Sequence, residues 1–161
     1  MDTTTNTAYS TPFTHLADMK DWVGKELGLS PWCTIDQSRI DQFATATEDH
    51  QWIHTDPVRS AKESPYQKTI AHGFLVLSLA SKFAYETYSV ADAVMGVNYG
   101  LDRVRFPNAT PVDAEIRGRV SLQTFDMKGN AARYKVNITF EIKGQSKPAC
   151  VAEFIAMAYT A

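Results

Sequence analysis

The chain has 161 residues, 44% of them hydrophobic and 21% charged, with a net charge of −2. That length suits one domain with a real core, and the near-neutral balance argues against a nucleic-acid or anionic-membrane binder, which carries a basic patch. Two cysteines, Cys33 and Cys150, are too few for a disulfide framework and read as buried free thiols in a reducing compartment.

Met1 to Pro12 is rich in Thr and Ser and lacks the charged-then-apolar pattern of a secretory signal, so residues 1–12 are expected to be a disordered lead-in. No apolar run approaches the roughly 20 residues that span a bilayer. A cytoplasmic protein without membrane partners is expected, with one domain over residues 13–161. From Phe13 to Glu26, the spacing of Leu16, Met19, Trp22 and Val23 predicts a helix. A short strand over Trp32 to Ile35 follows. Asp36 stands where a helix cap belongs, ahead of Ile40, Phe43, Ala44 and Thr47 on one stripe. Glu48 to Asp56 has no clear period and reads as a loop. Asp56-Pro57 opens a helix over Val58 to Glu63, ended by Ser64-Pro65.

After Ile70-Ala71-His72-Gly73 comes a stretch that is apolar nearly all round, the mark of a helix buried on most sides. The period then changes. Met95 to Phe106 supplies one strand. Ala114 to Thr124 and Ala132 to Lys143 alternate strictly between apolar and polar residues, as strands with one wet and one buried face do. A hairpin turn at Asp126 to Asn130 joins them, and Pro148 to Tyr159 adds a further strand. A half-wet sheet must cover its other face, and the apolar helix from Gly73 is the one segment large enough. The expected architecture is α+β, with one long helix cradled by an antiparallel sheet.

Chemistry concentrates between Thr47 and Pro57, where carboxylates and imidazoles fall in an irregular segment. A turn brings Asp49 and His54 to one point, where a carboxylate and an imidazole orient a water, accept its proton and return one. Gly73 opens the buried helix, whose first turn offers unpaired amides to an oxyanion and lets a carbonyl approach the backbone. Ser81, two turns further in, adds a hydroxyl. His72 reads as a locally packed residue. His50 and His54 are four apart, yet the metalloprotease pattern needs Glu after the first His and Gln51 stands there, so no metal is expected.

Asp49-x-x-x-x-His54 followed by Ile70-Ala71-His72-Gly73-Phe74-Leu75 resembles the MaoC-like (R)-specific enoyl-CoA hydratases, which have the hot-dog fold. The nodulation protein N-like branch is especially similar, from Trp22 through Phe106, including Ile35-Asp36-Gln37 and Asn98-Tyr99-Gly100. The resemblance implies that Asp49 and His54 hold the attacking water, that the Gly73 amide binds the thioester oxygen and that Ser81 supports the site. It implies a (3R)-hydroxyacyl thioester as product, no cofactor beyond the coenzyme A of the substrate, and a homodimer, which also covers an open sheet edge. The family's usual motif is Gly-Asp-x-Asn-Pro before an aliphatic residue and His. Here Glu48 replaces the Gly, setting a second carboxylate beside Asp49. Arg103 and Arg105 are candidates for the coenzyme A phosphates, in competition with ordinary solvated strand charges. Thioester hydrolysis on the same fold, and non-catalytic acyl-thioester binding, are the alternative functions.

Overall fold

The computed structural model describes residues 6–161. In chain order it contains β1 (Tyr9–Phe13), a 3-10 helix (Leu16–Trp22), β2 (Glu26–Leu29), β3 (Cys33–Ile35), α1 (Gln37–Thr47), α2 (Trp52–Thr55) and α3 (Pro57–Glu63). Then come α4 (Gly73–Ser78), α5 (Ala80–Thr87), β4 (Tyr88–Val90), β5 (Ala93–Arg105), β6 (Ala114–Lys128), β7 (Ala131–Ile142) and β8 (Cys150–Thr160). The strands form one sheet in the order β4-β1-β2-β6-β7-β8-β5, with β3 also paired to β6. This is the hot-dog arrangement, a sheet wrapped around a helix.

Alternation drives the long strands. On β7, Ala132, Tyr134, Val136, Ile138, Phe140 and Ile142 are all buried, and on β6 so are Ile116, Val120 and Leu122. The hairpin is tighter than the sequence suggests: Lys128 pairs with Ala131, leaving only Gly129 and Asn130 in the turn. The polar face is not wholly wet. Arg117 is buried there, its guanidinium 4.3 Å from the Trp32 ring centre and its Nε donating to Glu141 at 2.7 Å.

Three expectations for the first half are corrected. The lead-in is ordered from at least Tyr9, because Tyr9 Oη donates to Glu26 (2.5 Å) and Thr11 Oγ1 to the Leu27 carbonyl (2.6 Å); residues 1–5 lie outside the described residues. The segment from Phe13 to Glu26 is the end of a strand, a 3-10 helix and the start of a second strand. Its apolar spacing is realised by burying Leu16 and Met19 under the sheet. The central helix breaks at Leu79 into α4 and α5, and it is not buried all round. Phe74 and Tyr85 remain 71% and 80% exposed on the flank that meets β5.

Helix α5 sits on the sheet at two glycine seats. A Cβ on Gly118 of β6 would lie 2.5 Å from the Phe83 Cβ, and one on Gly28 of β2 would lie 2.3 Å from the Thr87 carbonyl oxygen. Phe83 is fully buried and packs edge-on against Phe140, ring centres 5.6 Å apart, so it has nowhere to retreat. Among the described residues no helix is long and apolar enough to cross a membrane. Both cysteines are free and buried, as expected, and burial pushes the Cys150 thiol up to about 12. Gly118→Ala is expected to destabilise the fold by about 1–3 kcal/mol through overpacking, read as a lower urea midpoint at unchanged m-value.

Candidate active site

Two caps frame the irregular segment. The Asp36 carboxylate accepts the Arg39 amide at the start of α1 (2.8 Å), and that of Asp56 accepts the Arg59 amide at the start of α3 (2.9 Å). Between them the expected loop contains the single turn α2, closed by the Asp56 amide donating to the Trp52 carbonyl (3.0 Å). The Arg59 guanidinium lies over the Trp52 ring, 4.3 Å from its centre. This turn directs His54 inward, where it is buried, while Asp49 stays exposed on the stretch before it.

Residues 69–72 lie against this segment and are laced to it. The Ile70 amide donates to the Ile53 carbonyl (3.0 Å), and His54 Nδ1 lies 2.6 Å from the Ile70 carbonyl. His72 Nε2 lies 3.0 Å from the Asp49 carbonyl. Gln37 of α1 completes the clasp: its amide donates to the His54 carbonyl (2.8 Å) and accepts the Thr69 hydroxyl (2.5 Å). On the other side, Ala71 donates to Thr110 (2.8 Å) and Val112 to Thr69 (2.9 Å).

These contacts fix both imidazole tautomers, because a backbone carbonyl only accepts. His54 carries its hydrogen on Nδ1, leaving a lone pair on Nε2. His72 carries its hydrogen on Nε2. The rings stack with centres 3.8 Å apart and planes 25° from parallel, and Phe43 packs against His72 at 5.1 Å. One ligand-type atom each from Asp49, His54 and His72 lie within 4.8 Å of one another. Three such groups suggest a metal, but the stack opposes one: nearly parallel rings send their lone pairs along separate planes, and one ion cannot lie in both at bonding distance. Burial pushes the His54 pKa below the ordinary 6.5; the Ile70 carbonyl opposes this, His72 adds to it, and the Asp49 charge opposes it.

Asp49 and His54 are thus brought together, and Gly73 adjoins them as the residue after His72. Among the described residues, the amides of Gly73, Phe74 and Leu75 donate to no protein acceptor, and the Phe106 ring lies 3.2 Å from where a Gly73 Cβ would stand. Ser81 is not brought to that point. It lies eight residues on, about 12 Å by helical rise, where its hydroxyl accepts from Asn98 of β5 (3.2 Å). There it lines a cleft of about 360 Å³ between α5 and β5 with Tyr85, Tyr88, Tyr134 and Phe154. Arg103 and Arg105 stand on β5: Arg103 is mostly exposed, 3.9 Å from Glu153, and Arg105 donates to the Val104 carbonyl (2.7 Å). His50 is exposed and takes no part in the cluster. Sequence spacing missed Gln37 and understated His72, since both act across turns that only the fold closes.

A stacked imidazole pair beside a carboxylate, at the mouth of a helix wrapped by a sheet, defines a hot-dog protein with the groups of a candidate acid–base site. The MaoC-like domain model matches residues 18–144, and the chain belongs to that family. It is 43% identical over 144 residues to 3-hydroxyacyl-thioester dehydratase Z of Mycobacterium tuberculosis, covering 89% of this chain and 95% of that one. It is 44% identical over 144 residues to nodulation protein N of Rhizobium leguminosarum, covering 88% and 89%. Among solved structures, an R-hydratase from Pseudomonas aeruginosa matches with a TM-score of 0.67 at 18% identity, covering 86% of this chain and 83% of the other. A MaoC-like dehydratase from Rhodospirillum rubrum matches with a TM-score of 0.73 at 15% identity, covering 91% and 97%. These last two establish the shared fold, and the family supports hydratase or dehydratase chemistry.

Glu48, the departure from the family motif, closes α1 in the left-handed conformation, φ 63° and ψ 16°, with its side chain exposed. That backbone position explains a glycine there: a side chain adds about 1–2 kcal/mol of strain, which glycine's greater freedom in the unfolded chain offsets in part. Glu48→Gly is therefore expected to raise stability by up to about 1 kcal/mol, measured as a higher urea midpoint.

Proposed function

We propose that this protein hydrates trans-2-enoyl-CoA to (3R)-hydroxyacyl-CoA, and runs the reverse dehydration, with Asp49 and His54 as the catalytic residues. The observation that carries this is a His54 whose Nε2 is left unprotonated by the Nδ1–H bond to the Ile70 carbonyl, on a ring with a nitrogen within 4.8 Å of the Asp49 carboxylate. Family membership and the dehydratase name of a 43% identical relative support it.

In the forward direction a water held between Asp49 and His54 adds through its oxygen to the β carbon. His54 Nε2 accepts the water's proton while electron density moves onto the thioester oxygen as an enolate. The unpaired Gly73 amide stabilises that oxygen. The Asp49–His54 pair then returns a proton to the α carbon, so one water is added and the residues end as they began. Ser81, in the cleft between α5 and β5, is the candidate to support the acyl chain, and Arg103 and Arg105 are the candidates for the coenzyme A phosphates. No cofactor is required for these steps.

The working unit is a homodimer. Strand β5 is a sheet edge, and its Val94, Met95, Val97, Tyr99 and Leu101 side chains are exposed. With Phe74 and Tyr85 they form an apolar flank that a second copy covers by pairing edge to edge. Sedimentation is expected to give a dimer that Val97→Lys converts to monomer; a monomeric wild type refutes the arrangement.

The test of activity is loss of the conjugated thioester absorbance when purified protein meets crotonyl-CoA or longer enoyl-CoAs. Release of free thiol instead identifies a thioesterase, and tight binding without product a binding protein. Asp49→Asn and His54→Gln are each expected to cut kcat/KM by roughly 100-fold or more while near-UV circular dichroism stays native. The pH profile has a defined sign. A lowered His54 pKa means that the imidazole keeps its lone pair as pH falls through 6.5 and loses it only below. The acid limb of kcat/KM should therefore lie under 6.5, and an acid limb above that value contradicts His54 as the base.

A further inference from the structure

We infer that His72 is a positioning residue of this site, its Nε2–H anchoring the Asp49 backbone and its ring setting the plane of the His54 imidazole. The geometry stands by itself, while the use made of it rests on the proposed hydratase activity.

One imidazole touches both the Asp49 backbone and the His54 ring. Its hydrogen bond to the Asp49 carbonyl reaches an otherwise exposed stretch, where among the described residues the Asp49 carboxylate has only a long contact from the Gln51 amide, 3.4 Å. One face of the ring stacks on His54 at 3.8 Å, and Phe43 lies against His72 at 5.1 Å. His72 also occupies the N-cap position of α4, directly before Gly73, with no side-chain cap hydrogen bond. The Asp49 backbone and the His54 ring are thus referred to one side chain.

Close packing alone does not call for a histidine here. The residue is 3% exposed, and with Nε2–H committed to Asp49 its Nδ1 lone pair is buried with no protein donor among the described residues. An orphaned buried acceptor is destabilising, and an apolar ring would fill the same space without that loss. What an apolar ring lacks is the hydrogen bond to Asp49. The groups that face His54 are His72 in the stack, the Asp49 carboxylate and the Ile70 carbonyl; from α1 the neutral Gln37 amide bonds its carbonyl, with Asp41 beyond it. Removing the stacked ring opens one face of His54 to water.

Two substitutions separate the functions. His72→Phe keeps a ring and loses the N–H. It is expected to lower kcat for crotonyl-CoA by roughly 10- to 100-fold, since small misplacements of catalytic groups have effects of that size, with the His54 titration midpoint hardly moved. His72→Gln keeps a side-chain N–H and loses the stack. It is expected to move the His54 midpoint, followed by NMR of the ring protons, upward by about half a unit or more. The acid limb of the rate profile should move with it. A residue that serves only to fill space would leave both the midpoint and kcat unchanged in the folded variants, and that result overturns the inference. If wild type turns over no enoyl thioester, the hydratase proposal fails while the His54 titration in His72→Gln still decides the part played by the stack. If His72→Phe does not fold, the same titration stands, and an unmoved midpoint refutes the role.

Discussion

The chemistry-bearing residues of this protein lie on two short irregular segments that have no reason of their own to stay together. What joins them is a set of hydrogen bonds between residues 49–54 and 69–72, most of them ending on backbone carbonyls. Carbonyl acceptors matter because they are geometrically fixed and never donate. Each imidazole that meets one has its tautomer chosen for it. The clasp therefore does two jobs at once, holding a loop closed and determining which nitrogen of His54 is free. The rest of the fold serves it: α1 supplies Gln37 and Phe43, residues 110–112 brace the far side, and α5 anchors the helix whose first residue adjoins the site.

Much of this was legible in the chain. Strict alternation on β6 and β7 identified their buried faces residue by residue, and Asp36 and Asp56 mark helix starts through their own side chains. Asp49, His54 and Gly73 are singled out by motif, and the first two do converge. The misses share a cause. The parallel pairing of β1 with β4, the exposed flank of α4 and α5, and the reach of Gln37 from α1 to both His54 and Thr69 all depend on partners far along the chain. Local spacing carries no signal for those. Ser81, singled out by motif, stands beyond the first turns of the helix, where its hydroxyl accepts from Asn98 on β5.

Glu48 shows how one substitution can be misjudged from sequence. As a neighbour of Asp49 it looks like an electrostatic matter, two carboxylates in a row. In the structure it is a backbone matter, a left-handed residue closing α1 with its side chain in solvent. The glycine that other members of the family place there is suited to the turn.

The two glycine seats under α5 have a wider consequence. With Phe83 bedded on Gly118 and the Thr87 carbonyl pressed on Gly28, the helix has a hard floor and can neither sink nor slide. Any enlargement of the space alongside it must be carved from the opposite flank, where small and aromatic side chains of α5 meet the outermost strand. Such a division lets one wall of the molecule drift while the other conserves the scaffold, so that the width of the cleft and thermal robustness become separately adjustable properties of the same helix.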